Sequence, residues 1–172
     1  MDVLELVEKV KAIKADVEAR IEVIKSKYNN FAQRINDLID KLENIINSVI
    51  DEINAGIAGA LNWAQDKLTQ LVYKINRVLD NMEQYIDKKL MELQTWLDDL
   101  LNRIKITFVQ SALAKLGVEL TKEEAQPIAD AIPLDIPTID SSIFNFELPL
   151  PDLVTMFNMR LEGKELPRMP LL

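Results

Sequence analysis

Apolar residues recur along the first part of the chain in alternating steps of three and four. With Val7, Ile21, Tyr28, Ile35, Leu42 and Val49 at the a position of a heptad, Val10, Val17, Ile24, Phe31, Leu38 and Ile45 fall at d, and Lys14 breaks the a series. Sustained over about six heptads, this period points to a coiled coil rather than to a single amphipathic helix on the surface of a globular domain. A second run carries Leu61, Ala64, Leu68, Leu71, Ile75, Val78 and Met82 and, after a phase slip, Ile86, Leu90, Leu93, Leu97, Leu100 and Ile104. Consecutive steps of four, at Val49, Ile53, Ile57 and Leu61 and again from Val78 to Leu90, are stutters that relax a left-handed supercoil. The expected fold class is all-α: a long coiled-coil helix with a Pro-rich extended or β arm at its C-terminal end.

The stretch "GIAGALNW", residues 56 to 63, decides whether that helix is continuous. Asn54 and Gly56 are turn and cap residues, but Ala and Ile surround them, and an apolar loop at a hairpin tip is unusual. Ala55, Gly56, Ala58, Gly59 and Ala60 would otherwise form a slim collar on an unbroken helix. The unbroken rod is the favoured reading, with a fold-back at Gly56–Gly59 as the alternative. A continuous helix of about 100 residues would be roughly 150 Å long and would owe its stability to association.

The apolar stripe is broader than one seam. Ile39 and Ile46 flank it in the first run, and Val72 and Leu79 in the second. A helix with so wide an apolar face needs more than one neighbour. β-Branched residues at both a and d favour three or more strands over two. The expectation is therefore a homotrimer, with the a and d residues above as its interface, together with Leu61, Leu68, Leu71, Ile75, Val78, Met82, Leu90, Leu93, Leu97, Leu100 and Ile104.

All seven prolines lie after position 126. Because proline breaks helices, this places a boundary: residues 1–117 form the heptad region, 118–132 a short capped helix, and 133–172 a Pro-rich arm. Gly117 after a periodic run is a helix stop, and Thr121 with Glu124 in "TKEE" reads as a capping box. In the arm, Phe144, Phe146, Leu148 and Leu150 share one side of an extended chain, suited to an edge strand or a polyproline-like segment. "DLVTMFNMRLEGKELPRM" alternates in a way that predicts a β-hairpin turning at "EGK". Two readings of the arm stay open. It caps the bundle as a small trimeric head, or Ile143, Phe144, Phe146, Leu148, Leu150, Phe157 and Met159 dock it onto another structural protein.

The chain has no cysteine and no histidine, which excludes thiol nucleophiles, Ser/His/Asp triads, disulfides and Cys/His zinc sites. The carboxylate pairs Glu123/Glu124, Asp98/Asp99 and Asp51/Glu52 are sequence neighbours and point in different directions on a helix, so none converges on one site. No phosphate loop, EF-hand spacing or nucleophile elbow is present. Trp63, Trp96, Tyr73 and Tyr85 fit flank packing at helical spacing better than a cofactor box. No catalytic, cofactor or metal residue is assigned, and no enzyme activity is expected. A net charge of −8 argues against nucleic acid and against anionic lipid as partners. No uncharged stretch reaches the roughly 18 residues a membrane span needs, and the N-terminus lacks a signal-peptide core. The expectation is a soluble chain, cytoplasmic on synthesis.

The organisation, a long heptad rod without cysteine followed by a Pro-punctuated apolar arm, is similar in outline to small structural proteins of bacteriophage tails, necks and baseplates. That resemblance implies a non-enzymatic, homo-oligomeric assembly protein, incorporated into a virion, whose rod sets a distance and whose arm attaches to a neighbour. The alternatives are a compact helical-hairpin module that binds another protein and, third, an amphipathic lipid-surface protein.

Overall fold

The computed structural model describes residues 1–134 and 139–172. Among the described residues the chain is all-helical, with α1 (Val3–Asn54), α2 (Ala60–Ala114), α3 (Lys122–Asp130) and α4 (Leu153–Leu161) and no strand. The part of the arm at 135–138, which includes Pro137, lies outside the described residues. The chain divides into two compact units, one of residues 1–24 and 87–141 and the other of residues 25–86 and 142–172.

The expected continuous rod is overturned at Gly56. The Gly56 amide donates to the Ile53 carbonyl and the Ile57 amide to the Glu52 carbonyl, both at 3.0 Å, which is the paired bond pattern of a Schellman stop. That pattern needs one residue in the left-handed region, and Gly56 at φ +75° occupies it without a Cβ penalty. Backbone bonds alone close the turn, so it requires no polar loop around it. Beyond it, Trp63 Nε1 at the start of α2 donates to Glu52 near the end of α1 at 2.8 Å, and the Phe31 and Tyr85 rings lie 5.8 Å apart. These pairs step in opposite directions along the two helices, so α1 and α2 run antiparallel in this unit.

The expected β-hairpin in the arm is also overturned. Residues 153–161 are helical, with Asp152 as N-cap accepting from the Thr155 amide at 2.8 Å. The bonds to Thr155 hold the Asp152 carboxyl below its ordinary range. "EGK" is a helix stop: the Gly163 amide donates to the Arg160 carbonyl and the Lys164 amide to the Met159 carbonyl. Alternation of apolar residues over a short segment does not separate strand from helix when a cap residue sits at its start. The two cap signals expected further upstream are present. Gly117 closes α2 with the same bond pair, and Thr121 with Glu124 forms a complete capping box on α3.

In the first unit, Leu6, Ile13 and Val17 of α1 form a core with Leu97, Leu101 and Ile104 of α2. Arg20 lies over the Trp96 ring at 4.0 Å, and the N-terminal ammonium donates to Ser111. A second cluster joins Ile106 and Val109 of α2 to Ala125 and Ala129 of α3, and Asn102 and Gln126 exchange side-chain hydrogen bonds beside it.

Candidate functional site

The other unit holds most of the large side chains that are fully buried. Its α1 segment carries Tyr28, Ala32, Ile35, Ile39, Leu42, Ile46 and Val49, none of which has exposed surface. These are a and e positions; the d residues Phe31, Leu38 and Ile45 are only half-buried. The shift from an a/d to an a/e stripe has a visible cause. Residues 142–172 lie along the e side of α1 and supply the second neighbour that its wide apolar face requires.

The arm is held by a ladder of polar side chains. Asn29 donates to the Leu172 carbonyl at 2.8 Å and accepts from the Leu172 amide at 2.7 Å. One heptad on, Asn36 makes the same pair of bonds to Met169, at 3.0 and 2.8 Å. One further heptad on, Glu43 accepts from the Leu166 amide at 3.0 Å and from Arg168 at 2.9 Å, with Arg160 at 3.6 Å. Arg168 also reaches Asp40, and Arg160 reaches Asn47 at 3.1 Å.

Leu166, Met169 and Leu172 thus meet α1 every third residue while α1 answers every seventh. The spacing follows from elementary geometry. Seven helical residues rise about 10.5 Å and three residues of extended, proline-punctuated chain span roughly 9–10 Å, so the two repeats stay in step. At the near end, Tyr28 donates to the Asn145 carbonyl at 2.9 Å and its ring lies 5.5 Å from Phe144. Burial pushes the Tyr28 phenol above its ordinary range.

Of the residues expected to dock the arm onto a neighbour, Phe144 is buried beside Tyr28, and Ile143, Phe146, Leu148, Leu150, Phe157 and Met159 are half-buried. Of the expected interface, Val17, Ile24, Tyr28, Ile35, Leu42, Val49, Leu68, Leu71, Ile75, Val78, Met82, Leu90, Leu93, Leu97 and Ile104 are buried within the chain itself. Tyr28, Ile35, Leu42, Val49, Leu68, Ile75, Met82 and Leu97 have no exposed surface in the single chain, whereas Leu71 and Val78 keep a narrow exposed edge. Val10, Ile21, Phe31, Leu38, Ile45 and Leu100 are half-buried. Val7 and Leu61 are exposed, at 43% and 47%. Val7 lost its place because the α1 seam in the first unit runs through Leu6 and Ile13, one position earlier, a register that the break at Lys14 signals.

The residues missed were Asn29, Asn36, Glu43, Arg160, Arg168 and Leu166. A signal existed for the first three: polar side chains at a strict spacing of seven, on the flank where the apolar stripe widens.

The hairpin tip contrasts with this sealed region. Ile53, Ile57, Leu61 and Trp63 are between 41% and 54% exposed around the turn. Ile53, Ile57 and Leu61 are among the step-of-four residues that suggested a stripe crossing the glycines. Glu52 accepts from the Trp63 indole and Lys67 lies over its ring, while Asp51 and Asp66 are near in sequence and exposed.

Among the described residues no group of three or more metal-capable side chains converges. Among them, too, no helix is long and apolar enough to cross a membrane. No protein family, no curated protein and no solved structure matches the chain.

Proposed function

We propose that this chain is a non-enzymatic assembly module, a helical hairpin that inserts its apolar tip into a pocket of a neighbouring structural protein. The observation that carries the reading is the cluster of Ile53, Ile57, Leu61 and Trp63, held in solvent by a turn closed with backbone bonds. Large apolar side chains grouped at one exposed point mark contact sites. Aromatic and aliphatic anchors of this kind carry most of the energy of protein interfaces. The carboxylates Asp51, Glu52 and Asp66 oppose an anionic lipid surface and suit a protein pocket with a basic rim. A structural component of a bacteriophage tail, neck or baseplate is the concrete setting in which such a module serves, with the self-contained hairpin replacing the trimeric rod.

The test is photo-crosslinking in the native source, with a benzophenone amino acid in place of Ile57 and, as control, of the exposed Val154 on α4. One discrete heteromeric adduct at position 57 and none at 154 is the expected result. Equal adduct patterns at both positions, or a chain that sediments as a trimer, would overturn the reading.

A further inference from the structure

On the flank of α1 away from the arm, the α1–α2 pair leaves two adjoining open pockets that share Lys41 and Lys74 and together make a groove. Leu38 and Ile45 of α1 and Leu71 and Val78 of α2 form its floor. Arg34 and Lys41 line it from α1, and Lys67, Lys74 and Arg77 from α2, with Asp37 the single acidic residue among the lining side chains. In a chain of net charge −8 this is a concentrated reversal of sign.

None of the five cations has an ion-pair partner among the described residues. The Lys67 ammonium lies 5.6 Å from the centre of the Trp63 ring. By contrast, on the opposite flank Arg160 and Arg168 are both committed to carboxylates. The cations also have an order. Arg34 and Lys41 are one heptad apart on one helix, Lys67 and Lys74 one heptad apart on the other, and the apolar floor runs between the two columns.

We propose that this groove binds one acidic amphipathic helix of a partner protein. Apolar residues of the helix would lie on Leu38, Ile45, Leu71 and Val78, and carboxylates on its two flanks would meet the two basic columns. The recognition chemistry is that of a third strand added to a helix pair, in which flanking charges select the partner and its register. The stretch from Arg34 to Ile45 matches about three helical turns of occupant. A nucleic acid or a lipid headgroup would satisfy the cations but leave the apolar floor without a counterpart. The groove adjoins the hairpin tip at Lys67 and Trp63, but its floor and its other four cations are not tip residues, so this inference does not depend on the function proposed above.

The experiment titrates the full chain with three fluorescent 21-residue peptides at low salt and reads anisotropy. One peptide is a heptad repeat with Leu and Ile on one face and Glu on both flanks. The second replaces every Glu by Lys, and the third scrambles the acidic sequence. Saturable binding of the acidic heptad peptide, at least tenfold tighter than either control and weakened by added salt, is expected. The K41E/K74E variant should lose at least tenfold in affinity with an unchanged helical spectrum, and K41Q/K74Q should lose less. Should the charge-reversed variant fold poorly, the glutamine variant carries the comparison. I57D, at the tip, should leave peptide binding as it was.

Equal binding of the scrambled peptide, or indifference to both substitutions at Lys41 and Lys74, would overturn the proposal. So would groove-dependent binding of anionic vesicles or a single-stranded oligonucleotide in place of the peptide. Self-association of the chain that K41E/K74E abolishes would make a second copy the occupant and would equally overturn it.

Discussion

Helix α1 passes through two environments, and the contrast between them shows what determines burial. In the unit of residues 25–86 and 142–172, Ile35, Ile39, Leu42, Ile46 and Val49 are sealed. In the unit of residues 1–24 and 87–141, Leu6, Ile13 and Ile24 retain slight exposure, and Val3, Leu4, Val7 and Val23 face solvent. The apolar period runs through both, broken once, at Lys14 in the second. The difference is how much the second neighbour covers: the sealed stretch has α2 on one flank and residues 142–172 along the other, while the other core adds to α2 only the partly buried Leu134 and Ile139 from the segment after α3. A broad apolar face demands a second partner, and here that partner is covalently attached. Tethering makes the contact intramolecular and removes its dependence on concentration, so the stripe that implied a trimer is satisfied without one.

The largest effect that would break this contrast is a charge placed in each stretch. Ile39→Asp buries an uncompensated carboxylate and should abolish the cooperative thermal transition, whereas Val7→Asp, at an exposed position, should shift stability by less than about 0.5 kcal/mol. Circular dichroism melts decide it; a collapse at position 7 would return that residue to an interface. Next in size is Glu43→Ala, which leaves the Leu166 amide and two guanidinium groups without their shared acceptor and should cost about 2–4 kcal/mol by urea unfolding. Leu166→Ala should cost about 2–3 kcal/mol through the cavity it leaves between arm and helix.

Asn36→Ala removes both part-buried bonds to Met169 and should cost about 1–3 kcal/mol, while Asn29→Ala, at the exposed end of the same ladder, should cost under about 1 kcal/mol. Equal effects at the two asparagines would mean that the ladder does not grade along the helix. The smallest change sharpens the turn: Gly56→Ala should cost about 1 kcal/mol, since it forces a Cβ into the left-handed region, and a two-residue Gly-Ser insertion after Gly56 should cost less than that. A loss of helicity on insertion would instead require a continuous helix at that point.

Much of this was legible from residue pattern. The helical character of the first part, the stop at Gly117 and the capping box at Thr121 all rest on local chemistry. Local chemistry is what a sequence displays directly. The width of the stripe at Ile39 and Ile46 correctly demanded a second neighbour, but nothing in periodicity distinguishes another copy from the same chain's distant arm. The break at Gly56 was obscured because its bonds are backbone bonds, indifferent to the apolar residues around it. Helix α4 was obscured because Thr155, Phe157 and Met159 alternate like a strand while Asp152 caps them as a helix. The asparagine ladder was visible only as a seven-residue spacing of polar residues, which acquires meaning once Met169 and Leu172 are known to lie against it.

Each chain's arm lies on its own α1. The natural chain has no cysteine, so two spin labels can be placed cleanly, one at Gln33→Cys on α1 and one at Leu171→Cys in the arm, both exposed positions. Pulsed dipolar spectroscopy of the doubly labelled chain, alone and diluted tenfold with unlabelled protein, measures the contact directly. A narrow short-distance peak of undiminished depth after dilution is the predicted result. A peak that fades on dilution, or a broad distribution without it, would mean that the arm belongs to another chain or to none, and would contradict the account.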